Sequence, residues 1–199
     1  MAFLSKSGIK AEWPEERGFR FSRMGGFSSF TGGRLKPMDL GFWDERKGTL
    51  WLVELAGREI WMPRTSEDNP LGVAYAEPGS PMPAPRMTHT LLMRALDTLV
   101  ILGCIWSGVG SCADLVHEVP VPVRMYPGEN HIRMMFVFDT PQDRLELLSP
   151  IKDELITLLA GRTRLLGIDR ISVLDVRSAG GVSKRLTDGL RIETETDFS

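Results

Sequence analysis

Two stretches, residues 35–43 and 49–55, are rich in aromatic, β-branched and leucine side chains, and only the polar run Asp44-Glu45-Arg46-Lys47-Gly48 separates them. Such runs suit a pleated, largely buried surface, and a short polar link ending in glycine folds them back on each other as a β-hairpin. Each strand also holds one residue foreign to an apolar core: Asp39 in Pro-Met-Asp-Leu-Gly-Phe-Trp and Glu54 in Trp-Leu-Val-Glu-Leu-Ala. Ionised carboxylates avoid such positions unless a cation or several donors compensate them. On adjacent antiparallel strands, with no evident basic neighbour, the two repel unless a cation lies between them. Oxygen ligands of this kind suit Mg²⁺ or Mn²⁺.

The remaining pattern sets the context of the hairpin. Residues 10–17 carry a helix signal interrupted by Pro14, and residues 19–23 alternate as a short strand before the glycines at 25, 26, 32 and 33 mark a loop. The proline-rich residues 63–85 read as a long loop, with a short strand near 72–76. Leucine and methionine spacing over 86–106 predicts a buried helix with Thr88 as N-cap. Residues 131–138 read as a buried strand. Residues 141–159 form an amphipathic helix ended by Gly161, and 171–176 a last strand. This order predicts an α/β (mixed α+β) class, a central mixed sheet with helices packed on its faces. At 199 residues it suits a single domain.

Pro37-Met38-Asp39, followed after a hairpin by Glu54-Leu55-Ala56, resembles the bipartite signature of the PD-(D/E)XK, or restriction-endonuclease-like, nucleases. In that family an Asp starts the hairpin, Glu-X-Lys lies on its second strand, and a helix and strand follow, as residues 86–106 and 131–138 do here. The resemblance spans a motif-bearing core of about residues 19–140, with 141–199 as a C-terminal extension. It implies that Asp39, Glu54 and the Leu55 carbonyl hold Mg²⁺ or Mn²⁺, which activates water against a phosphodiester. It implies a DNA substrate (RNA is the other option), a homo-oligomer or a target-recognising protein partner, and a role in restriction, phage defence or mobile elements.

The family's lysine falls on Ala56. Alternate strand residues share a face, so a lysine there would point with Glu54. Three accounts compete: deliberate replacement that traps an inactive enzyme, which the flanking Val-Glu-Leu-Ala-Gly-Arg favours and which makes this chain a disabled nuclease; migration of the lysine, against which Lys36 has the wrong strand parity and Lys47 lies in the turn; or a natural pseudo-enzyme kept for binding. In the last case the domain is a non-catalytic nucleic-acid-binding or assembly module.

Other residues are candidates around this centre. Glu15 or Glu16 could add a carboxylate from before the hairpin. His89 could approach a phosphate at a helix N-terminus, and Arg58 could border the substrate groove. A net charge of −2 argues against a surface that grips nucleic acid throughout, so contact should be local. The best local candidates are Arg162, Arg164, Arg170, Arg177, Lys184, Arg185 and Arg191. Cys104 and Cys112 have no clustered partners, which argues against zinc. The apolar segment 99–106 is short for a membrane span and the N-terminus lacks a signal-peptide core, so a cytoplasmic chain without a membrane partner is expected.

Overall fold

The computed structural model describes residues 1–25, 34–61, 85–108, 113–128 and 131–195. The expected hairpin is formed by β4 (Leu40–Asp44) and β5 (Thr49–Ala56), antiparallel with Leu40 opposite Val53 and Asp44 opposite Thr49. Every residue of β5 is buried, which explains why its residues do not alternate apolar with polar. A strand covered on both faces has no solvent side to alternate toward.

A five-stranded mixed sheet forms around it in the order β3-β4-β5-β6-β7, with β3 (Gly18–Phe19), β6 (Ile132–Phe138) and β7 (Ile168–Asp175). β3, β4 and β5 are antiparallel neighbours, whereas β5, β6 and β7 run parallel. Parallel neighbours need long crossovers. Helix α1 (Pro85–Ser107) lies between β5 and β6 in the chain, and α3 (Leu148–Leu165) between β6 and β7, after the short helix α2 (Ala113–Val116). One sheet face packs through Leu50, Leu52, Met134, Phe136 and Phe138 against Leu91, Ala95 and Leu102 of α1 and Ile151, Leu155 and Leu159 of α3. The other face, with Trp51, Val53, Leu55, Met135 and Val137, is covered by a second, three-stranded antiparallel sheet and by α4 (Val176–Leu186). That sheet has the order β1-β2-β8, from β1 (Ala2–Lys6), β2 (Ile9–Trp13) and β8 (Arg191–Thr194). The α/β class with a central mixed sheet is therefore observed.

Several local expectations are corrected. Residues 10–17 are not helical: Ile9, Ala11 and Trp13 alternate inward as β2, and only a 3₁₀ turn at Glu15–Arg17 follows. The strand at 19–23 shrinks to Gly18–Phe19 before a 3₁₀ turn at Phe21–Arg23. Thr88 lies inside α1, where its hydroxyl donates to Glu154 Oε2 at 2.7 Å instead of capping the helix. Gly161 does not end α3, which runs on to Leu165, and Gly167 at φ 59° makes the turn into β7. The loop over 63–85, with its strand at 72–76, falls almost wholly outside the described residues, as do Cys112 and most of the glycine loop.

α1 is also longer and more apolar than the segment 99–106 suggested: Met87–Ser107 could cross a membrane by length and composition. Its side chains tie it to the sheet instead. Thr98 Oγ1 accepts from the Met38 amide at 2.7 Å, and Arg94 reaches Glu54 on β5. The N-terminal hairpin turns at Ser7 (φ 54°) and Gly8 (φ 80°), two left-handed residues as in a type I′ turn. That turn lies directly on Gly57, where an added Cβ would sit 2.0 Å from Ser7 Cβ. The close approach fixes where the end of β1 meets the end of β5.

Candidate functional site

β5, β6 and β7 end together, with Ala56 opposite Phe138 and Phe138 opposite Asp175. The crevice outside the carboxyl ends of parallel strands is where open α/β sheets bind ligands. Asp39 and Glu54 lie at this end. Asp39 sits in a bend one residue before β4, and its N–H donates to Val53 O at 3.1 Å, so the register carries it opposite Glu54. Glu54 shares its face with Leu50, Leu52 and Ala56 and is only 2% exposed.

The two carboxylates converge on one nitrogen. Lys6 Nζ, at the end of β1, donates to Asp39 Oδ2 at 2.7 Å and to Glu54 Oε1 at 3.0 Å. Arg94 Nη1 of α1 donates to the same Glu54 oxygen at 2.5 Å. The Leu55 N–H donates to Asp39 Oδ2 at 2.8 Å. N–H and C=O of one extended residue point to the same strand edge, so the Leu55 carbonyl also faces the Asp39 side. The expectation that neither acid has a basic neighbour is overturned, because Lys6 and Arg94 are those neighbours. Sequence separation concealed them: Lys6 is 48 residues from Glu54 and Arg94 is 40. The signal available in the sequence was Arg94 itself, a charge beside the apolar residues Leu91, Leu92, Met93, Ala95 and Leu96 of the helix.

Glu54 is poised between protonation states. Burial, and then the charge of Asp39, push its carboxyl from 4.5 to about 7, against the opposing pull of Lys6 and Arg94. Its second oxygen, Oε2, is buried with no hydrogen-bond partner. An unpaired buried oxygen is costly and needs a proton or a cation beside it. Asp39, Glu54 and the Leu55 carbonyl are the oxygens here that could hold a hard divalent ion, and Lys6 Nζ bonds both carboxylates in this structure. Among the described residues no third acidic, histidine or cysteine ligand joins them.

The other candidates separate from this centre. Ala56 is 5% exposed and belongs to the hydrophobic cluster under α1 and α3. Lys36 is exposed, with its N–H donating to Asp97. Lys47 Nζ approaches the Arg185 carbonyl at 3.4 Å, at the far end of the sheet. Arg58 pairs with Asp139 at 2.8 Å at the strand ends beside the carboxylates. His89 is exposed on α1, and exposed Glu16 lies 4.0 Å from Arg17. Arg162 and Arg164 end α3 just before β7 begins, so with Arg170 they lie toward the end of the sheet away from Asp39 and Glu54. Arg177 is at the near end, but Asp175 holds it at 2.6 Å.

A scan against known protein families and searches of curated proteins and of solved structures found no match. The geometry alone therefore carries the functional argument.

Proposed function

We propose that this chain is a metal-dependent nuclease on a restriction-endonuclease-like core, hydrolysing phosphodiesters of DNA, with RNA as the alternative substrate. The observation that carries the reading is the meeting of Asp39 and Glu54 at Lys6 Nζ, 2.7 and 3.0 Å away, while Glu54 Oε2 stays buried and unpaired. The order hairpin, helix, parallel strand supports it further. In this reading Asp39, Glu54 and the Leu55 carbonyl hold Mg²⁺ or Mn²⁺, and the bound ion supplies charge neutralisation and a more acidic water.

Lys6 takes the part of the lysine missing at Ala56. It reaches the carboxylates from β1 instead of from β5, so a migrated lysine explains Ala56 without a disabling replacement. Its ammonium stands between the acids, where it would orient an attacking water by a hydrogen bond. Arg94 keeps Glu54 aimed by gripping Oε1. Two catalytic centres are needed to cut both strands of a duplex, which favours a homo-oligomer or a partner protein.

A second reading rests on the same contacts: Lys6 and Arg94 already compensate the acids, as in a non-catalytic nucleic-acid-binding or assembly module. Two variants separate them. As a nuclease, the wild type nicks plasmid with Mn²⁺; Asp39→Asn loses both Mn²⁺ binding and cleavage; Lys6→Met loses cleavage yet binds Mn²⁺ on the order of ten-fold more tightly, because a competing cation is gone. Wild-type protein that neither binds Mn²⁺ nor cuts plasmid, single-stranded DNA or RNA would refute the proposal and favour the binding module.

A further inference from the structure

Residues between Trp13 and Arg23, with the start of β1, line a cavity of about 340 Å³, in the size range of small-ligand pockets. It is lined by Trp13, the exposed Glu15, Gly18, Arg20 and Arg23 together with the start of β1, so two guanidinium groups face one carboxylate. The charges and donors of this wall are unbalanced. Trp13 is 2% exposed, and its Nε1 is buried with no hydrogen-bond partner. The Nε of Arg20 is likewise buried and unpaired. Among the described residues no carboxylate lies within ion-pair distance of Arg20 or Arg23. Burial and then the like charge of Arg23 both press Arg20 toward losing its proton, and only Asp39 opposes them.

The indole position is built in. A Cβ at residue 18 would lie 2.3 Å from Trp13 Nε1, so only glycine lets the ring lie against this wall. Buried N–H groups left unpaired are costly, and two neighbouring guanidinium groups without an acid between them repel. Such an arrangement is relieved by an anion with several acceptor oxygens, which arginine forks grip in two places.

We infer that this cavity is an oxyanion site for a phosphate group, held by Arg20, Arg23 and the Trp13 N–H. Two sources share that chemistry: a free phosphate or mononucleotide, and a backbone phosphate of a nucleic acid. Arg20 feels the charge of Asp39, so a backbone held here would pass beside the carboxylate pair. Only this choice of source touches the nuclease reading; the site itself stands apart from it.

The test uses the full chain in chelator, so that no metal contributes. Calorimetry with inorganic phosphate and anisotropy with labelled duplex and single-stranded DNA are compared for wild type, Arg20→Gln, Arg23→Gln and Trp13→Phe. Circular dichroism checks folding, and the partly exposed arginine positions keep the test open should Trp13→Phe misfold. Phosphate should bind the wild type and weaken about ten-fold or more in each arginine variant, the scale of a charge-assisted hydrogen bond, and less in Trp13→Phe. A parallel loss of DNA binding identifies a backbone phosphate as the source; loss of phosphate alone identifies a small molecule. No phosphate binding to the wild type, or binding that both arginine variants retain, overturns the inference and leaves a water-filled cavity. Mn²⁺ titration of the wild type and of Asp39→Asn, in buffer without chelator, tests the carboxylate pair, so failure of that reading is seen separately.

Discussion

Replacing Glu54 with glutamine removes a charge that the surrounding burial resists, and the structure sets the size and sign of the effect. The carboxyl titrates at about 7 in the folded chain against an ordinary 4.5. Between these values the folded state keeps a proton that the unfolded chain has released. Stability therefore falls as pH rises through that window and is flat above it. The interval of roughly 2.5 pH units, at about 1.4 kcal/mol each, is worth about 3 kcal/mol, with little discount because the side chain is 2% exposed. Glutamine leaves Lys6 and Arg94 facing a neutral amide, so the quantity compared is the pH slope of the two stability curves and not their height. Urea unfolding of both proteins from about pH 4 to about pH 8 should give curves that diverge by about 3 kcal/mol, with Glu54→Gln gaining relative stability toward alkaline pH. Mn²⁺ should restore wild-type stability at the alkaline end, where ionised Glu54 can bind it. Parallel curves would refute the reasoning, because they would mean that Lys6 and Arg94 fully outweigh burial.

Three further outcomes follow from the same contacts. Ala56→Lys forces a long cationic chain into the cluster under α1 and α3, and should lower stability by about 1–3 kcal/mol in thermal melts without raising plasmid cleavage, since in the proposed nuclease Lys6 supplies the amine. A gain of cleavage would mean that Lys6 is not the working lysine. Gly57→Ala drives a Cβ into Ser7 and should displace the β1 turn, so cleavage falls while Mn²⁺ affinity changes little; unchanged cleavage would count against Lys6. Asp175→Asn keeps an oxygen that can cap α4 but loses the charged bonds to the Arg177 guanidinium, and should cost about 1 kcal/mol or less at neutral pH because Arg177 is half exposed. Burial raises the Asp175 carboxyl, but its bonds to Arg177 and to the Thr140 N–H hold it below the ordinary carboxylate range overall. Its contribution is therefore present above the unfolded value and lost as acid protonates it, so the deficit should vanish in acid urea melts.

The parts of the fold legible in the sequence are those whose pattern is set by immediate neighbours. The β4–β5 hairpin, α1 and β6 declared themselves because long apolar runs and a glycine-ended turn leave few alternatives. β2 was misread because Glu12, Pro14, Glu15 and Glu16 resemble a helix start, whereas alternate burial of Ile9, Ala11 and Trp13 against the main sheet decides the matter. β1, α4 and β8 are short, and α4 has a strongly amphipathic sequence with two glycines inside it. Their order comes from covering the second face of the sheet, a tertiary demand with no local signature.

The same division runs through the site. Asp39 and Glu54 were visible because a carboxylate in an apolar strand is anomalous wherever its partners lie, and the hairpin register brings them together. The compensating cations were invisible because they arrive from β1 and α1, and a surface lysine near an N-terminus resembles any other until the sheet closes. A lysine on β5 would be held by the strand that holds Glu54, whereas Lys6 depends on the β1–β2 turn staying seated on Gly57. The amine at this centre is thus coupled to the packing of the second sheet, and loosening that sheet should disable Lys6 before it disturbs the carboxylates. Mild denaturant is the direct check: cleavage should fall before Mn²⁺ binding does, and simultaneous loss of the two would show that the N-terminal hairpin and the main sheet open as one unit.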